Sequence, residues 1–219
     1  MRVALWPILK SRSFLNDLRR HVVPASILTG VALVAILLVA ISLRRPAIEA
    51  YPPTSAAPAE VGDALIGPAR YTVQATSPER WVFFDFSRGS VVERPAPLEW
   101  DLAFKRFRII VNGGPGYRGI GAIADLGGIA FEHVAAAPDT GWVQSTAGRD
   151  SANAALLRWY EYGWSSHILR PKPRVYAIRT ADGKYAKLRI VSYYCPGATP
   201  GCVTFEYVYA GAGGRLLRP

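Results

Sequence analysis

Residues 175–194, VYAIRTADGKYAKLRIVSYY, form the stretch that decides the fold of this chain. Two runs rich in β-branched and aromatic residues flank ADGK, and such runs favour strands. Gly183 within ADGK can adopt the positive φ that a tight hairpin turn requires. In residues 187–191, KLRIV, polar and apolar side chains alternate, as they do in a half-buried antiparallel strand. The stretch therefore predicts a β-hairpin with one face in a core.

Segments of the same composition extend this hairpin into a domain over residues 69–219. They are residues 70–76, 81–86, 100–104, 107–112 and 203–210. Residues 150–162, DSANAALLRWYEY, favour a helix instead, because Asp150 or Ser151 can cap its first turn and apolar residues follow at helical spacing. We therefore expect a mostly β domain of antiparallel strands with one short helix.

The two cysteines of the chain are Cys195 and Cys202, and they bracket CPGATPGC between the last two predicted strands. Cysteines at the ends of adjacent antiparallel strands form a disulfide in an oxidising compartment. A metal pair of the form C-x6-C is the alternative, but no further ligand cluster accompanies it. We expect a disulfide and no metal site.

Residues 22–43, VVPASILTGVALVAILLVAISL, carry no charge. At ~1.5 Å of rise per residue, such a run can cross a hydrocarbon core of about 30 Å, so a transmembrane helix is expected. Residues 1–21 contain five Lys or Arg and one Asp, whereas few basic residues follow the run. By the positive-inside rule, the N-terminus lies in the cytoplasm and the C-terminal domain in the periplasm, with the helix as a single-pass anchor in the inner membrane.

A cleaved signal peptide is the alternative, but the apolar run is too long for it and small-x-small sites lie far beyond its end. Residues 1–21 combine apolar and basic side chains at helical spacing, which is typical of an amphipathic segment at a membrane interface. Trp6, Arg19 and Arg20 are its expected membrane contacts. Residues 44–68 are rich in proline and alanine, which predicts a semi-rigid spacer.

The charge of the chain restricts its partners. The formal net charge is +10, and residues 69–219 alone contain 19 Lys or Arg against 12 Asp or Glu. A basic domain outside the cytoplasm does not meet nucleic acid, so its expected partners are an anionic lipid surface or other membrane-protein subunits.

Catalytic motifs are not found in this sequence. Residues 114–119, GPGYRG, match G-x-G-x-x-G and follow a predicted strand. A phosphate site would require a helix to begin there, and the following residues, IGAIADLGG, are too rich in glycine. Nucleophile elbows, zinc-binding helices and paired carboxylates at helical spacing are also lacking. We therefore expect a protein that is not an enzyme.

His133 and His167 are the two histidines of the domain. Two imidazoles from different loops can bind a haem iron from both sides, so haem is considered as a cofactor although none is expected. No C-x-x-C-H motif is present, which excludes covalent attachment of the c type. In the aromatic stretch around residues 159–164, Trp159, Tyr162 and Trp164 are the expected partner or membrane contacts.

Three parts of the sequence together resemble the HmuY family. They are WDLAF running into RFRIIVNGG at residues 100–114, LLRWYEY at 156–162, and the strand block of residues 175–194 with VTFEYVY at 203–209. The resemblance implies a two-sheet β fold outside the cytoplasm and a haem ligand. In this sequence, His133 and His167 are the positions onto which the role of axial ligand can be carried. Family members are typically secreted or anchored through a lipidated cysteine, whereas this sequence has the apolar run instead.

Two functions follow from these observations. The first is a non-catalytic accessory subunit of a bacterial membrane complex, for which an electron-transfer or photosynthetic assembly is a plausible host, with the β domain docked on its outer face. The alternative is a membrane-anchored haem-binding protein that uses His133 and His167.

Overall fold

The computed structural model of the chain describes residues 26–41, 47–56 and 65–218. The chain divides into two compact units, Met1–Pro46 and Ala47–Pro219. Trp6, Arg19 and Arg20, together with the whole predicted segment 1–21, lie outside the described residues.

In the first unit, residues 26–41 are α-helical and exposed throughout. They belong to the apolar run for which a helix is expected, and the rest of that run lies outside the described residues. No helix within the described ranges is both long enough and apolar enough to cross a bilayer, so the predicted span over residues 22–43 is not confirmed.

The described residues of the second unit form thirteen strands. In chain order they are β1 (Leu65–Gln74), β2 (Val82–Asp85), β3 (Ser90–Val92), β4 (Leu102–Lys105), β5 (Arg108–Val111), β6 (Ala122–Asp125), β7 (Ser145–Thr146), β8 (Ala152–Asn153), β9 (Tyr160–Tyr162), β10 (Leu169–Pro171), β11 (Val175–Arg179), β12 (Tyr185–Cys195) and β13 (Thr199–Ala210). Short 3-10 turns cover Phe131–His133, Ala154–Leu156 and Pro196–Ala198.

These strands form two principal sheets. The large sheet has the order β1-β13-β12-β11-β6, and the small sheet has the order β3-β2-β4-β5. Two short hairpins, β7-β8 and β9-β10, complete the architecture. Neighbouring strands pair antiparallel in every sheet. The mostly β, two-sheet antiparallel fold expected from the sequence is confirmed.

Aromatic side chains fill the space between the two sheets. Phe205 of β13 packs edge-on against Phe84 of β2, with ring centroids 5.1 Å apart, and stacks on Phe104 of β4 at 5.7 Å. Tyr207 continues this row against Phe84 and Phe86. Burying one such side chain stabilises a fold by about 1.5–3 kcal/mol, so this row is the main cohesive contact between the sheets.

A buried carboxylate joins the two sheets at their edge. Asp101, directly before β4, accepts hydrogen bonds from the backbone N–H groups of Phe86, at 2.9 Å, and of Ala181, at 2.8 Å. Ala181 begins the turn between β11 and β12, where Gly183 has a φ of 90°. Burial, with a smaller contribution from the nearby Asp85 carboxylate, raises the pKa of Asp101 to about 7, although the two N–H donors act in the opposite direction.

The disulfide expected between Cys195 and Cys202 is present and closes the β12–β13 connection.

The helix predicted for residues 150–162 is not found, because tertiary contacts outweigh its local pattern. This stretch forms β8, the turn Ala154–Leu156 and β9. Asn153 is buried and its amide donates to the Val143 carbonyl at 3.1 Å. Trp159 is buried and its indole N–H donates to the Phe107 carbonyl at 2.8 Å, while Leu157 points outward. A single helical stripe cannot place these side chains in those positions.

Parts of the predicted spacer 44–68 belong to the folded unit. Residues 65–68 begin β1. The Tyr51 N–H donates to the Tyr194 carbonyl at 3.1 Å, and the Thr54 N–H donates to the Thr72 carbonyl at 3.0 Å. Ile48 and Ala50 pack against the core. Residues 47–54 therefore form a strap over the large sheet, because their backbone finds partners there that a solvated spacer would lack.

The buried state of Asp101 predicts a pH-dependent stability. Between its usual pKa of 3.8 and about 7, the unfolded chain releases the Asp101 proton while the folded chain retains it. The contribution of Asp101 to the free energy of unfolding is therefore complete below pH 4 and decreases as the pH rises to 7. The decrease amounts to roughly 4 kcal/mol, at ~1.4 kcal/mol per pKa unit.

Asp101→Asn removes this titration, but its side-chain oxygen can accept only one of the two N–H groups, at a cost of about 1–3 kcal/mol. We expect the free energy of unfolding of the wild type, minus that of the variant, to fall by roughly 3 kcal/mol from pH 4.5 to pH 8 in urea titrations, because only the wild type loses this stabilisation. Asp150→Asn, at an exposed carboxylate, is the matched control. A difference that stays constant with pH for Asp101→Asn would contradict this account.

Candidate functional site

The outer face of the large sheet carries a second layer of chain. Phe131 and Val134 pack there on Val175 of β11 and Val208 of β13. The 3-10 turn Phe131–His133 lies in this layer and presents His133, which is exposed. The His133 N–H donates to the Ala130 carbonyl at 3.0 Å, which closes the turn.

Lys187 of β12 fixes this turn to the sheet. Its side chain is only 1% exposed, and its ammonium donates to the carbonyls of Phe131, at 2.9 Å, and Val134, at 2.7 Å. The ammonium also lies 4.7 Å from the centre of the Phe131 ring. Burial lowers the pKa of Lys187, while the Glu132 carboxylate acts in the opposite direction. His133 therefore lies between Phe131 and Val134, whose carbonyl groups both accept hydrogen bonds from the buried Lys187 ammonium.

His167 lies in the loop of the β9-β10 hairpin. Its φ of 55° is in the left-handed region, and its N–H donates to the Gly163 carbonyl at 2.7 Å. The Nδ1 atom of His167 is hydrogen-bonded to the Tyr162 hydroxyl. This contact orients the imidazole and leaves Nε2 as its outward nitrogen.

Tyr162 contacts this histidine, and Trp164 packs edge-on against Tyr162. Tyr162 is 40% exposed and Trp164 is 85% exposed, and their ring centroids lie 5.5 Å apart. These two predicted contact residues therefore lie at the surface. Trp159, predicted with them, is 1% exposed and belongs to the core, so its assignment as a contact residue is wrong.

The two histidine-bearing segments border one cavity of about 500 Å³. One wall is residues 128–132, directly before His133, and the other is residues 171–175, which begin at the last residue of β10. Neither histidine is among the residues that line this cavity, and no contact joins them in the described part of the chain. The cavity therefore lies beside the His133 turn and the end of the hairpin away from its loop, and the structure brings neither histidine side chain into it.

Basic side chains dominate the charge of this cavity. Lys172, Arg174 and Arg189 line it, together with the carboxylates of Glu49 and Glu132. Arg174 pairs with Asp125 at 2.6 Å. Arg189 is paired with Glu206 at 2.6 Å, so Lys172 is the lining cation that an anionic group near the cavity would meet.

The loop that matches G-x-G-x-x-G is not a phosphate site. A strand, β6, follows it rather than a helix. Its glycines permit close backbone packing instead, since a Cβ atom on Gly114 would lie 2.1 Å from the Ser145 carbonyl oxygen and one on Gly119 2.4 Å from the Asn112 carbonyl oxygen. Among the described residues, no group of three or more His, Cys, Asp or Glu side chains is arranged to hold a metal ion.

Sequence patterns did not reveal Lys187 or the Tyr162–His167 pair. The alternation in residues 187–191 correctly places Lys187 on the face of β12 that points away from the inter-sheet core. If nothing covered that face, Lys187 would be exposed to solvent. Only the layer around Phe131 makes it a buried cation. The Tyr162–His167 contact depends on the positive φ of His167, which sequence spacing does not indicate.

The fold and these surface turns define a two-sheet antiparallel β protein that carries exposed histidines beside a basic cavity. The chain belongs to the HmuY family: the family model described as HmuY protein matches residues 77–207, more than half of the chain. The resemblance expected from the sequence is confirmed. No curated protein matches the chain.

Solved structures share this fold at low sequence identity. The apo HmuY analog of Tannerella forsythia is 18% identical, with a TM-score of 0.53 over 66% of this chain and 96% of that one. A structure described as a HmuY-like heme binding protein of Bacteroides vulgatus is 22% identical, with a TM-score of 0.53 over 69% and 98%. One described as a lipoprotein of Bacteroides fragilis is 20% identical, with a TM-score of 0.51 over 64% and 88%. At these identities the likeness concerns the fold.

The anchoring role of Lys187 predicts a local effect of its replacement. Lys187→Met keeps the length of the side chain but leaves the carbonyls of Phe131 and Val134 without their donor, at a cost of about 1–3 kcal/mol. We expect amide hydrogen exchange in residues 131–135 to accelerate at least tenfold while the β12–β13 core amides stay protected. Lys105→Met, in the small sheet, serves as the control. Unchanged exchange in residues 131–135 would show that the buried cation does not hold the turn.

Proposed function

We propose that the folded unit of this chain is a haem-binding module that works outside the cytoplasm in association with a membrane. The observation that carries this proposal is the His167 imidazole, exposed and oriented by Tyr162 on a hairpin beside a basic cavity. Two comparisons support it, one with a structure described as a HmuY-like heme binding protein and one with a structure described as a lipoprotein.

The Tyr162–His167 pair and the nearby cavity have chemistry that a haem ligand could use, and neither histidine lines that cavity. The cavity of about 500 Å³ lies within the range of ~300–1,000 Å³ that ligand sites occupy. His167 would bind iron through Nε2, because Nδ1 is engaged by the Tyr162 hydroxyl, and a partner on the second ring nitrogen is the usual arrangement for a metal-binding histidine. Bound haem would supply an iron centre that binds imidazole nitrogen.

Other side chains would complete this site. The exposed Trp164 ring offers an apolar surface for a flat macrocycle, and Lys172 offers a cation for its carboxylates. His133 would be a second histidine available to the iron, since Lys187 holds its turn at the side of the cavity that Phe131 and Glu132 line. The role proposed here is capture of a ligand, without a catalytic step.

Haem titration of the full-length protein tests this proposal. We expect a Soret shift on addition of hemin to the wild type, loss of that shift in His167→Ala, and at least tenfold weaker binding in Tyr162→Phe, because the orienting hydroxyl is removed. Tyr117→Phe, which removes an exposed hydroxyl elsewhere, should bind like the wild type. His133→Ala should change the spectrum from six-coordinate to five-coordinate iron.

The proposal fails if the wild-type protein produces no Soret shift, or if His167→Ala binds hemin as tightly as the wild type. If His133→Ala alone has no effect, haem is held by one histidine and the assignment of His133 is wrong.

A second proposal concerns the helix of residues 26–41. Ten of its large apolar side chains are between 51% and 69% exposed. An apolar helix requires a cover of lipid or of other apolar helices. We propose that the apolar run anchors the chain in the inner membrane, with the N-terminus in the cytoplasm, and that this anchor packs among the subunits of a membrane complex to which the chain is an accessory.

Replacing apolar residues of this helix with charged ones should release the chain from membranes. Leu33→Arg with Leu37→Arg places two cations in the middle of the apolar run, at about 2.5–3.5 kcal/mol each on the insertion scale. We expect the wild type to stay in the membrane fraction after carbonate washing and the double variant to move to the supernatant. Leu157→Arg, at an exposed leucine of the folded unit, is the control.

Native gel electrophoresis after mild solubilisation tests the complex separately. The proposal of an accessory subunit predicts migration in a larger assembly. Migration as a single chain of 23.9 kDa would contradict it while leaving the anchor intact.

A further inference from the structure

A second cavity of about 500 Å³ opens on the outer face of the large sheet, over β1, β13 and β12. The Phe131–His133 turn separates it from the cavity beside the hairpin, since Phe131 and Glu132 line both. Its floor consists of two successive cross-strand rows. We call it the sheet cavity, and the proposed haem site does not include it.

The first row of its floor is an alternating set of charges. Arg70, Glu206 and Arg189 are direct neighbours on β1, β13 and β12. Arg70 donates through Nε to one oxygen of Glu206 at 3.1 Å, and Arg189 donates through Nε to the other oxygen at 2.7 Å. Burial opposes ionisation of Glu206, but these bonds outweigh it and lower its pKa. Two guanidinium groups thus share one carboxylate, and the row carries a positive excess.

The second row adds a buried cation. Lys187 pairs with Val208 in the register of β12 and β13. Its bonds to the carbonyls of Phe131 and Val134 use two of the three N–H groups of the ammonium. The remaining carboxylate of the cavity, Glu132, is 69% exposed and lies 3.9 Å from Arg189. Arg70, Arg189 and Lys187 therefore face two carboxylates. Both arginines hydrogen-bond Glu206, whereas Glu132 is held only by its 3.9 Å contact with Arg189.

The other surfaces of the sheet cavity are apolar. Phe131, Val208, Pro68 and Ala69 form them. The Phe131 ring lies 4.7 Å from the Lys187 ammonium and 5.2 Å from the Arg189 guanidinium, so apolar and cationic surfaces meet at one point. A ligand that suits this combination has one negative charge and an apolar body.

We propose that the sheet cavity binds an organic monocarboxylate with an apolar body. The ligand carboxylate displaces Glu132 from Arg189 and accepts hydrogen bonds from Arg189 and Lys187, as charge-assisted pairs prefer. The apolar body packs on Phe131 and Val208. Glu132 competes with the ligand, which gives replacements of Arg189 and Glu132 opposite effects.

Calorimetric titration of the detergent-solubilised full-length protein with 4-phenylbutyrate tests the proposal. We expect saturable binding at one site, at least fivefold weaker in Arg189→Gln, because a charge-assisted bond is lost. In Glu132→Gln, binding should be at least twofold tighter, because the competing carboxylate is gone. Both positions are partly exposed, so neither replacement threatens the core. Lys105→Gln in the small sheet should match the wild type, and 4-phenylbutanol, which lacks the charge, should bind at least fivefold more weakly.

Weaker binding in Glu132→Gln, equal binding in all variants, or no saturable binding by the wild type would overturn the proposal. His167→Ala should leave 4-phenylbutyrate binding unchanged, and a loss of binding in that variant would assign the effect to the histidine hairpin instead.

Discussion

The Asp101 carboxylate holds the two sheets of the folded unit in one arrangement. Its two oxygens accept the N–H groups of Phe86, beside the small sheet, and of Ala181, in the β11-β12 turn of the large sheet. Asn112 reinforces the same corner, since its side-chain amide donates to the carbonyls of Pro97 and Trp100. Because an unpaired buried N–H is costly, the sheets cannot slide past each other without breaking these bonds. The aromatic row around Phe205 then packs in one register.

This register also determines the outer face of the large sheet. Cross-strand pairing places Arg70, Glu206 and Arg189 in one row and Lys187 beside Val208 in the next. A layer of chain around Phe131 covers part of this face, and the strap of residues 47–54 covers another part. One cavity lies between the Phe131 layer, Glu49 of the strap and residues 171–175, and the sheet cavity lies beside the Phe131 layer over β1, β13 and β12. Both ligand sites proposed here therefore depend on charges that the sheet positions and on segments that cover it incompletely.

The strands could be predicted where local pattern and tertiary environment agree. In residues 175–194 the alternation, the β-branched residues and the ADGK turn all favour the hairpin that is observed. The helix expected at residues 150–162 failed for the opposite reason. Burial of Asn153 and Trp159, and exposure of Leu157, follow from partners distant in sequence, such as Val143 and Phe107. Local capping residues and apolar spacing carry no information about such partners.

By itself, the sequence determined the β class, the disulfide between Cys195 and Cys202 and the two histidines worth testing, because composition, spacing and residue type are enough for these. Only the tertiary structure decided the environment of each side chain. It moved Trp159 into the core, oriented His167 through Tyr162 and buried the Lys187 ammonium under the carbonyls of Phe131 and Val134. Burial and hydrogen bonding between residues distant in sequence arise only when the sheets and their cover pack together.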